Sequence, residues 1–135
     1  MTEKSYDQLV EFILQNQEHF YRLAYLNIDD QELAMDLVEK SIKRALDICD
    51  TFHSSKKICF YQILVNECRN MECSTNRLTD VQNDKIQQIR QLDFNHRMVL
   101  VLYYFEEFSL EETAQIMQIS PDMVKTCLSD LLKIL

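Results

Sequence analysis

The 135-residue chain contains no glycine and only one proline. Tight hairpins, phosphate-binding loops and dinucleotide-binding turns all draw on glycine's freedom at positive φ. A sheet-rich fold and a glycine-cradled nucleotide site are therefore disfavoured, and an all-α protein is expected. Hydrophobic residues make up 47% of the chain and charged residues 27%, enough for one or two small helical cores. No run of 18 apolar residues occurs, so no membrane span is expected. Met1-Thr-Glu-Lys-Ser5 lacks the apolar stretch of a secretory leader. The cysteines at 49, 59, 68, 73 and 127 fit neither a disulfide framework nor paired C-x-x-C metal spacing. A reducing, cytoplasmic setting is the expectation.

Lys and Arg total 14 against 22 Asp and Glu, a net charge of −8. Non-specific nucleic-acid binding works by neutralising phosphates with Lys and Arg. The field of the whole molecule opposes that, so any contact with DNA must come from a local patch.

Helical periodicity runs along the chain. Ser5 is positioned to cap a first helix reaching about Asn27, with Leu9, Phe12, Ile13, Phe20, Leu23 and Ala24 on one face. Asp29 and Asp30 precede a second helix to about Ile48. Its apolar stripe is Leu33, Ala34, Leu37, Val38, Ala45 and Leu46, and its polar face is Glu32, Asp36, Glu39, Lys40, Lys43 and Asp47. A third helix spans about Lys56 to Met71, built on Phe60, Ile63, Leu64 and Cys68. Apolar periodicity then lapses. Two small helical domains are expected, residues 1–73 and 84–135, joined by a short linker at 74–83. Splitting the chain after residue 82 leaves both parts acidic, with 9 basic and 14 acidic residues before the cut and 5 and 8 after it.

The second half carries clearer punctuation. A helix from about Asp84 to Leu92 is followed by Asp93, which is placed to cap a helix through Met98-Val-Leu-Val-Leu-Tyr-Tyr-Phe105. Ser109-Leu-Glu-Glu112 is a capping box. It opens a short helix to about Met117. Ser120-Pro121 starts the last helix, with Ser as cap and Pro at the first helical position. Met123, Val124, Cys127, Leu128, Leu131, Leu132 and Leu135 are expected to be its buried stripe. Two short helices joined by Gln118-Ile-Ser120 read as a helix-turn-helix, with Gln118 where glycine is common. An αα-corner with no DNA role has the same outline.

The residues from Leu92 onward resemble region 4 of bacterial sigma-70-family factors, above all the small extracytoplasmic-function group. The family's Leu-Pro pair, Arg and apolar run appear as Leu92-Asp93, Arg97, Val99-Leu100 and Leu102-Tyr-Tyr104. Its "Ser-x-x-Glu-Ile-Ala" helix appears as Ser109-Leu-Glu-Glu-Thr-Ala114 and its "Gly-Ile-Ser" turn as Gln118-Ile-Ser120. The opening of its recognition helix appears as Asp122-Met-Val-Lys-Thr-Cys-Leu128. Upstream, Asp29-Asp-Gln-Glu-Leu-Ala-Met-Asp-Leu-Val-Glu-Lys-Ser-Ile-Lys-Arg-Ala45 resembles sigma region 2, and Ile63-Leu-Val-Asn66 resembles its later "Ile-Ala-x-Asn". The likeness spans nearly the whole chain in the family's domain order.

The resemblance implies a sigma factor rather than an enzyme. Its region 2 docks on core RNA polymerase and opens the minus-ten element. Its region 4 sets a recognition helix in the major groove of the minus-thirty-five element. No cofactor or metal is implied, and His19, His53 and His96 are scattered. Asp36, Glu39, Lys40 and Lys43, at spacings 0, 3, 4 and 7, share one helix face and are the expected polymerase contacts. A solvated face with Asp36–Lys40 and Glu39–Lys43 ion pairs is the plainer alternative. Lys125, Thr126, Ser129 and Lys133, with Arg69 and Arg77, are the expected DNA contacts.

Departures from the family pattern matter here. The chain has no tryptophan, and the family's tryptophan position falls on Cys59. Phe60 and Tyr61 are the nearest aromatics that could stack on unwound strand, and core packing is an equal reading of them. Where the family carries Arg, His, Arg and Arg, this chain has Cys127, Ser129, Asp130 and Leu132. The exposed face Asp122, Lys125, Thr126, Ser129, Asp130 and Lys133 has no net charge. Binding to promoter DNA by the protein alone is therefore expected to be weak. An alternative follows from the same residues: a degenerate sigma-like regulator that binds polymerase, or another sigma or anti-sigma protein, without reading DNA itself. An anti-sigma factor is the further partner that the family implies.

Overall fold

A computed structural model describes residues 3–28, 30–48, 55–72, 89 and 91–134, and every element among them is helical. Helices α1 (Glu3–Gln15), α2 (Gln17–Asn27), α3 (Gln31–Ile48) and α4 (Lys56–Glu72) form the N-terminal part. Helix α5 (Phe94–Val99) runs on as a π-helix (Leu100–Phe105), and α6 (Leu110–Met117) and α7 (Pro121–Ile134) complete the chain. Arg77, the linker 74–83 and the expected helix start at Asp84 lie outside the described residues.

The first expected helix is two. Asn16 leaves the helical conformation at φ −124°, ψ 19°, and its side-chain amide donates to the Phe12 carbonyl at 2.8 Å. A short amide side chain that bonds nearby backbone competes with the helical ladder. α1 also begins at Glu3, so Ser5 lies inside the helix rather than capping it. Asp30 does cap α3, accepting from the Leu33 amide at 3.0 Å. Ser55 caps α4, its hydroxyl accepting from Lys57 N at 3.2 Å.

Aromatic packing joins these helices. Phe20 lies 4.4 Å from Phe60 and 5.6 Å from Phe12, centroid to centroid, and 5.5 Å from Tyr61. Phe20 and Phe60 are fully buried. The α3–α4 contact carries a polar staple as well. Buried Glu67 of α4 faces Lys40 at 3.7 Å and Arg44 at 3.4 Å, both from α3.

The C-terminal helices are defined by their ends. Asp93 accepts from the His96 amide at 2.9 Å. In the Ser109–Glu112 box both reciprocal bonds measure 3.0 Å. Gln118 takes the left-handed conformation, φ 60° and ψ 44°, at the end of α6. Ser120 accepts from the Met123 amide at 3.1 Å. The π-helix was not expected. Its ladder closes five residues back, with Glu106 N donating to Val101 O at 2.9 Å. The extra residue per turn changes the direction in which the following side chains leave the backbone. Glu107 then turns the chain at φ 62°.

α5, α6 and α7 form a three-helix unit, and α6 packs on α4. One hydrophobic core therefore runs through both parts, from Leu9 to Leu131. Thr113, fully buried in α6, holds a hydroxyl with no hydrogen-bond partner. The resemblance sets it where the family has isoleucine. Two residues of the expected α7 stripe face outward instead: Met123 is 47% exposed and Leu132 75%. They lie on the flanks of a stripe whose centre is Val124, Cys127 and Leu131.

Candidate functional site

Three surfaces hold the residues expected to act on partners or the contacts that cover them. The first is the outer face of α3. Asp36, Glu39, Lys40 and Lys43 are all exposed, but their surroundings differ. Asp36 and Glu39 border a groove of about 730 Å³ between α2 and α3, together with Glu18, Gln17, Tyr21, Met35, Val38 and Ile42. Met35 is 61% exposed. Among the described residues the groove thus has an apolar floor and three carboxylates on its walls, and no basic side chain lines it. Lys40 reaches away from Asp36 to Glu67. Lys43 sits 4.0 Å from Glu39, the expected i,i+4 pair.

The second surface is α7, the second helix of the helix-turn-helix. Lys125, Thr126, Ser129 and Lys133 are exposed along it. The Thr126 hydroxyl donates to the Asp122 carbonyl at 3.1 Å, which leaves its oxygen able to accept. Asp130 is partly exposed on the same helix but is tied to α5. Its carboxylate meets His96 Nε2 of α5 at 2.9 Å, while His96 Nδ1 meets Asp93 at 2.6 Å. Hydrogen bonding to Asp130 and then to Asp93 raises the His96 pKa above its ordinary 6.5. Burial opposes the ionised form of Asp93, but the His96 amide, the His96 ring and the charge of Arg97 outweigh it, so that carboxyl falls below 3.8. Burial, then the charges of Asp93 and Asp130, pushes the Cys127 thiol up.

The third surface is closed: the seam where the two parts meet. The Glu106 carboxylate, following the π-helix, is 4% exposed. It accepts from Arg22 at 3.1 Å and from the Tyr61 hydroxyl at 3.2 Å, and His19 Nδ1 lies 3.1 Å away. Burial and the charge of Glu106 push the Tyr61 phenol far above its ordinary value. Phe108 meets Tyr61 edge to face at 4.9 Å. Gln62 donates to the Gln115 carbonyl at 2.8 Å. Arg97 Nε donates to Asn27 at 2.6 Å. Arg69, expected on DNA, lies over the Phe94 ring at 4.9 Å and donates to Asn66 at 2.9 Å. Phe60 and Tyr61 are 0% and 2% exposed, so neither offers a stacking face in this arrangement.

Sequence reasoning missed the seam and the His96 cluster. Glu106 and Arg22 are 84 positions apart, and His96 and Asp130 are 34 apart. No local spacing signals such pairs. Among the described residues no group of three or more His, Cys, Asp or Glu could hold a metal ion, and no helix is long and apolar enough to cross a membrane.

Comparison with known proteins gives a consistent result. Residues 89–133 match the family described as Sigma-70, region 4. The chain is 27% identical over 146 aligned positions to RNA polymerase sigma factor SigV of Bacillus subtilis (strain 168), covering 94% of this chain and 88% of that protein. The fold matches CnrH, solved in complex with the cytosolic domain of CnrY, with a TM-score of 0.72. That match covers 93% of this chain and 88% of CnrH at 18% identity.

Proposed function

We infer that this chain is a divergent member of the sigma-70 family, of extracytoplasmic-function type, and works as an RNA polymerase sigma factor. It binds core polymerase and directs promoter recognition and transcription initiation. The observation that carries this reading is the C-terminal three-helix unit. It is a helix-turn-helix with a left-handed Gln118 turn, and it matches sigma region 4 over residues 89–133.

The chemistry of the exposed surfaces supports finer roles. Polymerase is held at the α2–α3 groove, where Asp36 and Glu39 stand over apolar Met35, Val38 and Ile42. That chemistry suits a helix presenting an apolar ridge flanked by arginines or lysines. Lys40 supports the site indirectly through Glu67, and Lys43 stands at its edge. DNA is met by Lys125, Thr126, Ser129, Lys133 and Arg77, and by Arg69 once the parts separate. Two lysines on α7 give a salt slope of only about −2, so affinity for duplex without polymerase is weak.

Size supports a separation of the two parts. A compact chain of this length has a radius of gyration of about 14 Å, hence a diameter of about 37 Å. The minus-ten and minus-thirty-five elements are about 25 base pairs apart, or about 85 Å. The closed arrangement cannot reach both. We therefore assign residues 1–73 and 84–135 as lobes that part on polymerase, with 74–83 as the tether. Parting also uncovers Tyr61, now roofed by Phe108 and Glu106. A regulatory protein that grips the sigma factor, as CnrY is seen to complex with CnrH, is the remaining partner proposed, and the cytoplasm is the proposed compartment. A sigma factor performs no bond chemistry, and polymerase supplies catalysis.

The test is reconstitution. The protein is mixed with core polymerase and assayed by gel filtration and by run-off transcription from a promoter library. Co-migration with core and promoter-dependent transcripts are expected. Failure to bind core, or binding without any promoter-dependent transcript, overturns the reading.

A further inference from the structure

The His96 cluster ties the DNA-facing helix α7 to α5 through a single imidazole. Both ring nitrogens face carboxylate oxygens, Asp93 at 2.6 Å and Asp130 at 2.9 Å. An ionised carboxylate only accepts hydrogen bonds, and a neutral imidazole has one N–H. Both contacts are hydrogen bonds together only when the ring carries two N–H groups, that is, as imidazolium. Deprotonation leaves one nitrogen lone pair against a carboxylate, and one of the two contacts must open.

We propose that His96 is a positioning residue for promoter reading: as imidazolium it draws the Asp130 carboxylate off the DNA-facing side of α7 and offsets its charge. This rests on the reading of α7 as the duplex-contacting helix. With Asp130 so held, the outward face keeps Lys125 and Lys133 against Asp122 alone, a balance of plus one rather than zero. When His96 loses its proton, the Asp130 charge is no longer offset and its carboxylate is free to swing toward the phosphates. DNA affinity then falls as pH rises through the His96 pKa.

The surroundings favour the charged ring. α5 brings Asp93 and Arg97, and α7 brings Asp130 and the Cys127 thiol, which stays protonated under the same two carboxylates. α4 brings Arg69, stacked on Phe94 two positions away. The π-helix contributes only apolar side chains and the phenols of Tyr103 and Tyr104. Two carboxylates in direct contact outweigh guanidiniums that are committed elsewhere, and His96 titrates above the usual imidazole range.

The experiment uses the full chain and two readouts. NMR titration of the histidines, without DNA, measures the His96 pKa in the native protein, in Asp130→Asn and in Asp93→Asn. Fluorescence anisotropy measures affinity for a random-sequence 30-base-pair duplex at low salt, on both sides of that pKa. The native protein is expected to lose about three- to tenfold in affinity on deprotonation, the scale of one nearby charge near the protein surface. Asp130→Asn is expected to bind at high pH as the native protein binds at low pH, and to lose less than the native protein across its own His96 titration because no carboxylate is released toward the phosphates. His96→Gln, which keeps a hydrogen-bonding side chain without a proton to lose, is expected to bind at every pH as the native protein does at high pH. A His96 that titrates at its ordinary value, or an unchanged pH profile in Asp130→Asn, overturns the proposal. Absence of duplex binding at any pH overturns it together with the reading of α7. That failure is recognisable because the DNA-free titration still comes out raised.

Discussion

The two parts of this molecule are specified in different ways. The N-terminal helices are held by what they pack against: Phe12, Phe20, Phe60 and Tyr61 come from α1, α2 and α4 and meet in one aromatic cluster. The C-terminal helices are marked by their own ends: the Asp93 cap, the Ser109–Glu112 box, the left-handed Gln118 and the Ser120 cap. The first kind of information is long-range and carries stability. The second is local, carries the shape of the helix-turn-helix, and stabilises less per feature.

The largest effect follows from the aromatic cluster. Phe20→Ala is expected to cost about 3–5 kcal/mol, the usual penalty for emptying a fully buried phenylalanine site. Chemical denaturation with circular dichroism measures it. A loss under 1 kcal/mol would mean that the cluster is no more than contact and would remove the contrast between the two parts.

The seam comes next. Glu106→Gln keeps the shape but withdraws the charge that Arg22 and Tyr61 share. A cost of about 1.5–3 kcal/mol is expected for a buried, charge-assisted network of this kind. Hydrogen exchange should show faster opening of the 61–64 backbone while α7 stays protected. If α7 loosens equally, the C-terminal unit does not hold itself together and its caps are less self-sufficient than described.

This contrast also explains what the sequence made legible. The all-α class follows from missing glycine, and the starts of α6 and α7 are legible to the residue because Ser109, Glu112, Ser120 and Pro121 act on their immediate neighbours. The break at Asn16 was hidden because the apolar stripe continues in register on both sides of it. The π-helix was hidden because Leu100–Phe105 reads equally well at 3.6 residues per turn. For the candidate site, the exposed lysines of α7 were legible from periodicity. Periodicity places Asp130 on the exposed side of α7, where 44% of its side chain is accessible, but does not report its bond to His96, which arrives from another element. Leu132 was counted as core for the opposite reason: an apolar residue at the stripe's edge has no local feature that reports its exposure.

A smaller effect tests the local side. Ser109→Ala removes one half of the capping box and is expected to cost about 1 kcal/mol. The loss should be confined to α6 and its contacts with α4 and α7, read as accelerated exchange at the amides of 110–113. Spread of the effect to the N-terminal helices would show that the caps also govern long-range packing.

The smallest effect sits where the two kinds of information meet, because Asp93 is both a local cap and half of a tertiary clasp. Its folded-state pKa lies below 3.8, so its contribution is present above that value and is lost as pH falls through the depressed pKa. His96 behaves oppositely. Its folded-state pKa lies above 6.5, so its contribution is complete below 6.5 and is lost as pH rises through the raised pKa. The clasp is therefore strongest between these limits. Asp93 and Asp130 are both substantially exposed, so solvent screens the gain to a shift of about one or two degrees in Tm. Melting curves of the native protein and of His96→Gln at constant salt should separate most at mildly acidic pH and converge in alkaline buffer. Parallel curves across that range would place His96 outside the balance of forces on α7, and would leave the capping bond of Asp93 to the His96 amide as all that joins the local signal to the tertiary one.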